Sequence, residues 1–420
     1  MVRSFLEISE RVSRGEAVIM TTQEVCEISE GGERPDVDVV TTATRAIMSG
    51  TYAVFSFPVA GPHTFLRAKR AWMAGVPAQV GPCPNENLGI LDLVVFGTAH
   101  SISRPGYGGG HLFRDLVEGR SIHVEVETDD GRRLSTEVRL GEMPHARLYG
   151  TRHCFKNYSA FVNPGGEPLA TIFHATGFHT RLTGATFSGC GQINPLKNDP
   201  LMDAVGLGTK VLINGAEGFV TGTGTRSSPE RPNLSGVADM HHMDPEYMGG
   251  FLTSAGPECI CSWAVPIPVT SESILESIVR LDRDIPLSVM DVCTRQPISQ
   301  SNYGQVWQNS DPEVVFSQEK CAGCVRCRVI EACPMGAVSY QGSSVRRDEK
   351  LCFHCGLCTT VCEGRAFQGS LGSICMDDGQ KVPVVLRQSD RHRALRLAEE
   401  LRDRIAGGSF KMTQMVERIC

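Results

Sequence analysis

Eight of the seventeen cysteines fall in two short runs, "EKCAGCVRCRVIEACPMGAV" from Glu319 and "KLCFHCGLCTTVC" from Lys350. In the first, Cys321, Cys324 and Cys327 are spaced C-x2-C-x2-C, with Cys333 and Pro334 following. In the second, Cys352, Cys355 and Cys358 repeat the spacing, and Cys362 follows. Thiolates at this spacing wrap one face of an iron–sulfur cubane, and the fourth cysteine of each run reaches the other cluster. The expected ligand sets are therefore Cys321, Cys324, Cys327 and Cys362 for one [4Fe-4S] cluster. Cys352, Cys355, Cys358 and Cys333 are expected to hold a second. Five residues, where three are usual, precede the first Cys-Pro, and Glu363 stands where the second run would carry proline. The longer gap predicts a bulged loop that removes no ligand. Zinc usually draws on paired C-x2-C knuckles or histidines, which makes two three-plus-one zinc sites a poorer reading.

Three further cysteines sit in settings suited to sulfur chemistry. Cys190, in "TFSGCGQINP", lies between glycines, which predicts a sulfur open to approach from several sides. Cys83, in "VGPCPNENLG", is presented between prolines. Cys154, in "TRHCFKNY", is flanked by Arg152, His153 and Lys156, cations that would favour a thiolate. The blander readings apply elsewhere: Cys26 belongs to a helical stretch, and Cys259 and Cys261 alternate along a strand-like run as small buried residues. "YGGGHLFRDL" places three glycines and His111 before a helix of about two turns, either a tight turn or an anion-binding start. "INGAEGFVTGTGT" lacks the G-x-G-x-x-G order, and a strand-like run follows it, so no nicotinamide cofactor is expected.

These groups require a scaffold large enough to hold them. The chain has 420 residues, 41% hydrophobic, with a net charge of −6, enough for at least two cores and without a basic footprint for nucleic acid. "MVRSFLEISERVSRGE" is charged from the start, so no secretory leader is expected, and no apolar stretch approaches the ~20 residues of a membrane span. A cytoplasmic, anaerobic setting is the expectation for a chain with cluster-spaced cysteines. The fold class expected is α+β (mixed α/β): a large domain over 1–311, an appended or inserted two-cluster ferredoxin-like module over 312–370, and a terminal hairpin and helix over 371–420 packed on the large domain. Segment 295–318, rich in Gln, Ser, Asn and Pro, reads as a connector. "SICMDDGQKVPVVLRQ" predicts two strands around an Asp-Asp-Gly turn. A helix is predicted from Ser389 or Asp390 to Gly407, with Ala394, Leu397, Ala398, Leu401 and Ile405 on one face.

"DVDVVTTAT", "GYGGGHLFRDLVEGRSIHVEVE", "FKNYSAFVNP", "NPLKNDPLMDAVGLGTKVLINGAEG" and "SWAVPIPV" together resemble the homocysteine-biosynthesis (HcyBio) family of archaea and anaerobic bacteria. With the two cysteine runs and "VPVVLRQSDR" after them, the chain is similar to the subgroup called methanogenesis marker protein 16. The resemblance implies formation of a thiol from an aldehyde and sulfide through an enzyme-bound persulfide. For that subgroup it implies the last step of coenzyme M synthesis, sulfoacetaldehyde to 2-mercaptoethanesulfonate. The aspartate-semialdehyde branch carries a cysteine just after the "VVTT" strand, and "RAIMSG" at 45–50 has none. On this reading Cys190, Cys83 and Cys154, in that order, are candidate sulfur carriers. Arg152, His153 and Lys156 are candidate holders of an anionic substrate, and His111 and His153 candidate acids. The implied partners are a small anionic aldehyde, a sulfide or persulfide donor and reduced ferredoxin or a similar one-electron donor, with a homo-oligomer expected. Competing readings are an aspartate-semialdehyde sulfurtransferase making homocysteine, and a non-catalytic electron-transfer subunit.

Overall fold

A computed structural model describes residues 3–81, 84–342 and 344–419. It is a mixed α/β structure built on large sheets with few helices. The run Val39–Ile47, dominated by valine and threonine, forms a strand buried along almost its whole length. β-Branched residues suit a pleated surface covered on both faces. It pairs antiparallel with Gly256–Pro268 from Val39 opposite Pro268 to Ile47 opposite Ile260. These two strands stand near one end of a sheet of fourteen strands among the described residues. Farther along, Thr51–Pro58 alternates buried and half-buried positions between Ile90–Phe96 and His145–His153. That alternation marks a sheet with one face on the core.

A second sheet is assembled from distant parts of the chain. Ala160–Val162 pairs with Ala185–Phe187 and with Pro286–Asp291, and Lys381–Arg387 runs parallel to Ala185–Phe187. The hairpin Ser373–Cys375 with Lys381–Arg387 forms around the Asp-Asp-Gly turn. Segment 295–318 is not a connector. Pro297–Asn302 is a strand paired with Pro286–Asp291, and Gly304–Trp307 is a short helix whose Trp307 packs in the core of this sheet. Its polar residues face outward on an edge strand, which composition alone reads as a linker. The cysteine-rich segment is closed at its base by Val315–Phe316 pairing with Phe367–Gln368.

The helix Arg391–Ala406 lies on the Val39 and Gly256 strands. Asp390 caps it by accepting from the Arg393 amide at 3.1 Å, and Ala394, Leu397, Ala398, Leu401 and Ile405 are buried. Its first turn is fixed to the sheet by a fully buried ion pair, Arg45 with Asp390, whose backbone N–H also donates to the Arg45 carbonyl at 2.9 Å. Among the described residues no helix is long and apolar enough to cross a membrane. Leu397 is fully buried where the helix meets the sheet. Leu397→Ala is expected to lower unfolding free energy by about 2–5 kcal/mol, read in a denaturant titration.

Candidate functional site

Cys190 sits at the turn between the strand Ala185–Phe187 and a short 3-10 helix, Gly191–Ile193. Its flanking glycines are left-handed, Gly189 at φ 127° and Gly191 at φ 64°. A Cβ at Gly189 would collide with the Tyr303 hydroxyl, and one at Gly191 with the Asp282 carboxylate. The glycines therefore permit close packing and do not open the sulfur: Cys190 is fully buried, against the expectation of access from several sides. The loop is pinned on all sides. Asn157 accepts from the Gly191 amide at 3.0 Å and donates to the Gly191 carbonyl at 3.1 Å. Ser389 accepts from the Gly189 amide at 2.8 Å, and the Trp307 indole donates to the Gly189 carbonyl at 3.1 Å. The Thr44 hydroxyl donates to Cys190 Sγ at 3.6 Å, and the thiol faces the Arg45 carbonyl at 3.9 Å. Burial raises the thiol's pKa, opposed by these two contacts, so the sulfur rests as a neutral thiol.

Directly in front of this loop is a cavity of about 510 Å³, with Thr44, Gly189, Gln388 and Ser389 in its wall. Four arginines border it: Arg152, Arg226, Arg231 and Arg295. Neighbours such as Arg147, Arg283 and Arg391 are paired with Asp239, Glu30 and Asp282. The four at the cavity form no ion pair among the described residues. The Arg295 guanidinium stacks 4.0 Å from the Phe173 ring centroid and Arg231 lies 5.9 Å over Tyr158. Arg226 and Arg295 hold left-handed backbones at φ 62° and 61°, a costly conformation for non-glycine residues that accompanies functional sites. Unpaired guanidinium groups around a concave, partly apolar wall suit a small anion. Arg152 was a candidate from sequence; Arg226, Arg231 and Arg295 were not, since they lie on loops far apart in the chain.

The remaining candidates are dispersed. Cys154 is fully buried with φ 51°, and burial, followed by the nearby Cys190, raises its pKa far above the usual thiol range. The cations beside it in sequence do not offset this, because Lys156 is exposed and His153 is uncharged. His153 is also fully buried, away from the cavity. Its Nδ1 accepts from the Trp263 indole at 2.9 Å, which leaves the proton on Nε2, 2.7 Å from the Thr51 hydroxyl. It is a core histidine and neither a substrate ligand nor an acid. His111 lies at the start of the helix Gly109–Val117, borders a separate cavity with Arg104 and Arg114, and accepts from the Gly108 amide at 3.2 Å. Burial, then Arg104 and Arg114, pushes its pKa down to about 4. Cys83 lies outside the described residues. Cys259 and Cys261 are buried on the Gly256–Pro268 strand.

In the cysteine-rich segment Cys333 lies with three thiols of the second run, and Cys362 with two of the first. Cys333, Cys352, Cys355 and Cys358 line one apolar, enclosed cavity beside Phe353. Cys324, Cys327 and Cys362 border a second, open at the surface, and Cys321 packs against the apolar cluster of Val314, Val329 and Phe367 beside them. No group of three or more His, Cys, Asp or Glu among the described residues is placed to hold a metal ion. A cubane separates its ligands more widely than a single ion does, and four thiols around an apolar cavity are the donor set it takes. The two sets differ in exposure: Cys355 is buried and its set packs on Phe251 and Ile260 of the large sheet, whereas Cys324 is exposed.

The model for homocysteine biosynthesis enzymes of the sulfur-incorporation type matches residues 17–412. The chain belongs to this family. It is 44% identical over 98% of its length to an uncharacterised protein of Methanothermobacter thermautotrophicus, 94% of which is covered. It is 30% identical over 69% of its length to an L-aspartate semialdehyde sulfurtransferase of Methanocaldococcus jannaschii, covering 59% of that protein. A relative of the same name from Methanosarcina acetivorans is 27% identical over 73% of this chain and 63% of its own. No solved structure matches.

Within this family member, His153 makes stability pH-dependent. Burial holds its pKa at about 3, below the ordinary value near 6.5. The unfolded chain therefore takes up its proton first, so the stability due to the neutral ring is complete above about pH 6.5 and declines as pH falls toward 3. Urea titrations of wild type should show this decline, and His153→Gln should reduce its slope.

Proposed function

We propose that this chain makes a thiol from a small anionic aldehyde and sulfide, drawing electrons through two [4Fe-4S] clusters held by its eight run cysteines. The observation that carries this reading is the arginine-bordered cavity in front of the Cys190 loop. Aldehyde and hydrogen sulfide add to a thiohemiacetal; loss of water gives a thioaldehyde; two electrons and two protons give the thiol. Where the sulfur comes instead from a persulfide donor, the Cys190 thiolate takes the donor's outer sulfur and releases the donor's thiol, and two further electrons with two protons then free it from Cys190 as sulfide. When bound, such clusters supply single electrons at low potential. Arg152, Arg226, Arg231 and Arg295 hold the anionic end of the substrate, and the Thr44 hydroxyl stays hydrogen-bonded to the Cys190 sulfur. Since Cys190 lies behind Thr44 and Gly189, a sulfur atom extending from it would enter the cavity through that wall.

The preferred aldehyde is sulfoacetaldehyde, giving coenzyme M. Among the described residues the cavity wall has four arginines and no aspartate or glutamate, which suits a sulfonate and offers no carboxylate to pair with an α-ammonium group. A second reading, aspartate semialdehyde to homocysteine, is favoured by the names of two relatives. Anaerobic assays of the purified chain with each aldehyde, sulfide and reduced ferredoxin decide between them. Faster thiol formation from sulfoacetaldehyde is expected, and a preference for aspartate semialdehyde would overturn the choice. Arg152→Gln should raise KM about tenfold with a smaller change in kcat, as expected for a charge-assisted contact made in the ground state as well.

The thiol roles are tested separately. Anaerobically purified protein should hold about eight iron and eight acid-labile sulfide; stoichiometric zinc without sulfide would remove the cluster reading. Cys333→Ser should damage one cluster and spare the other. At matched iron content Cys190→Ser should abolish thiol formation, and a near-wild-type rate would exclude Cys190 as the sulfur carrier.

A further inference from the structure

The segment Arg387–Arg393 touches both the arginine-bordered cavity and the inner thiol set. On one side Gln388 and Ser389 stand in the cavity wall, and Ser389 holds the Gly189 amide. On the other, the Arg387 amide donates to the Cys355 carbonyl at 2.8 Å, and the Arg393 guanidinium donates to the carbonyls of Cys352 and Glu349. Between them Asp390 pairs with Arg45 and, at 3.4 Å, with Arg393. The Arg45 guanidinium lies 4.8 Å over the ring of Phe353, the residue after Cys352, while its carbonyl faces Cys190 Sγ.

Arg45, Arg387, Asp390 and Arg393 are all buried. The three cations outnumber the carboxylates near them, Asp390 and, beside Arg387, Asp311, which leaves this knot with net positive charge beside Cys352 and Cys355. Adding an electron adds negative charge, and a buried cation favours the reduced form more than an exposed one because water screens it less. The outer set, with Cys324 exposed, has no such knot; its nearby Arg326 and Arg328 are exposed and paired with Glu331 and Glu363.

We propose that Arg393 and Asp390 are positioning residues that set the reduction potential of the inner cluster, in opposite directions, at the point where its loop is tied to the cavity wall. This inference rests on the cluster reading above. Arg393→Gln removes a cation and lowers the potential. Asp390→Asn removes the compensating anion and raises it, while asparagine still caps the helix. Arg393→Lys keeps the charge and holds the potential near wild type.

The test is an anaerobic redox titration of the full chain followed by electron paramagnetic resonance, at matched iron content. One of the two couples should move and the other stay. The shift should be at least tenfold in the reduced-to-oxidised ratio at fixed potential, about 59 mV for a one-electron couple, down for Arg393→Gln and up for Asp390→Asn. Loosened packing that admits water would move both variants the same way, and that result overturns the proposal, as do unmoved potentials. If Arg393→Gln fails to load iron, the sign of the Asp390→Asn shift alone decides. Protein that holds no iron and sulfide removes the cluster reading and this inference together, whereas loaded clusters of unchanged potential remove only the inference.

Discussion

The Arg45–Asp390 ion pair is the contact on which most of the architecture converges. Both side chains are fully buried, and burying two charges costs several kcal/mol per ion before their attraction and hydrogen bonds offset it. Burial lowers the Arg45 pKa to about 10 even with Asp390 beside it. For Asp390 the order is reversed: burial would raise its pKa, but Arg45 and Arg393 outweigh it and hold the carboxylate ionised. A pair of this kind contributes little net stability over an apolar pair of the same shape. What it contributes is registry. The alignment of the helix on the sheet that pairs Arg45 with Asp390 also places Ser389 under the Gly189 amide.

The thiols divide into populations with different physical settings. Cys154, Cys190, Cys259 and Cys261 are fully buried in the large part, each among apolar neighbours. The run cysteines form an inner set against the large sheet and an outer set at the surface. Exposure thus falls from Cys324 at the surface, through the thiols packed with Phe251 and Phe353, to Cys190, fully buried beside the cavity. Arginines border the cavity and lie beside the inner thiols in a chain whose net charge is −6.

Local signals were legible where one physical cause dominated. The Val39–Ile47 strand follows from a β-branched run, and the helix after Asp390 from its apolar periodicity and cap. The grouping of Cys333 with Cys352, Cys355 and Cys358 around one cavity follows from spacing within each run, a short-range constraint. Sequence reasoning went astray where neighbours in the chain are not neighbours in space. Arg152 and His153 are adjacent, yet strand alternation sends Arg152 to the cavity and His153 into the core against Trp263. The glycines around Cys190 suggested openness, but they exist because Tyr303 and Asp282 press on the loop. Arg226, Arg231 and Arg295 converge only after two sheets have formed, so no local pattern announces them.

The sheet that joins Ala185–Phe187 to Lys381–Arg387, and the pairing of Arg45 with a residue 345 positions away, have a consequence for how the molecule is made. The cavity wall beside Cys190 is not a product of the first three hundred residues. It is finished by chain that emerges after the cysteine-rich segment, so the site is assembled late and through contacts of long sequence separation, the slow kind. The cavity and the cysteine-rich segment are consequently not modular in the sense of beads on a string. Cutting the chain ahead of the cysteine-rich segment would remove Gln388, Ser389 and Asp390 along with it, leaving the remaining sheets with an open flank where the pocket should be.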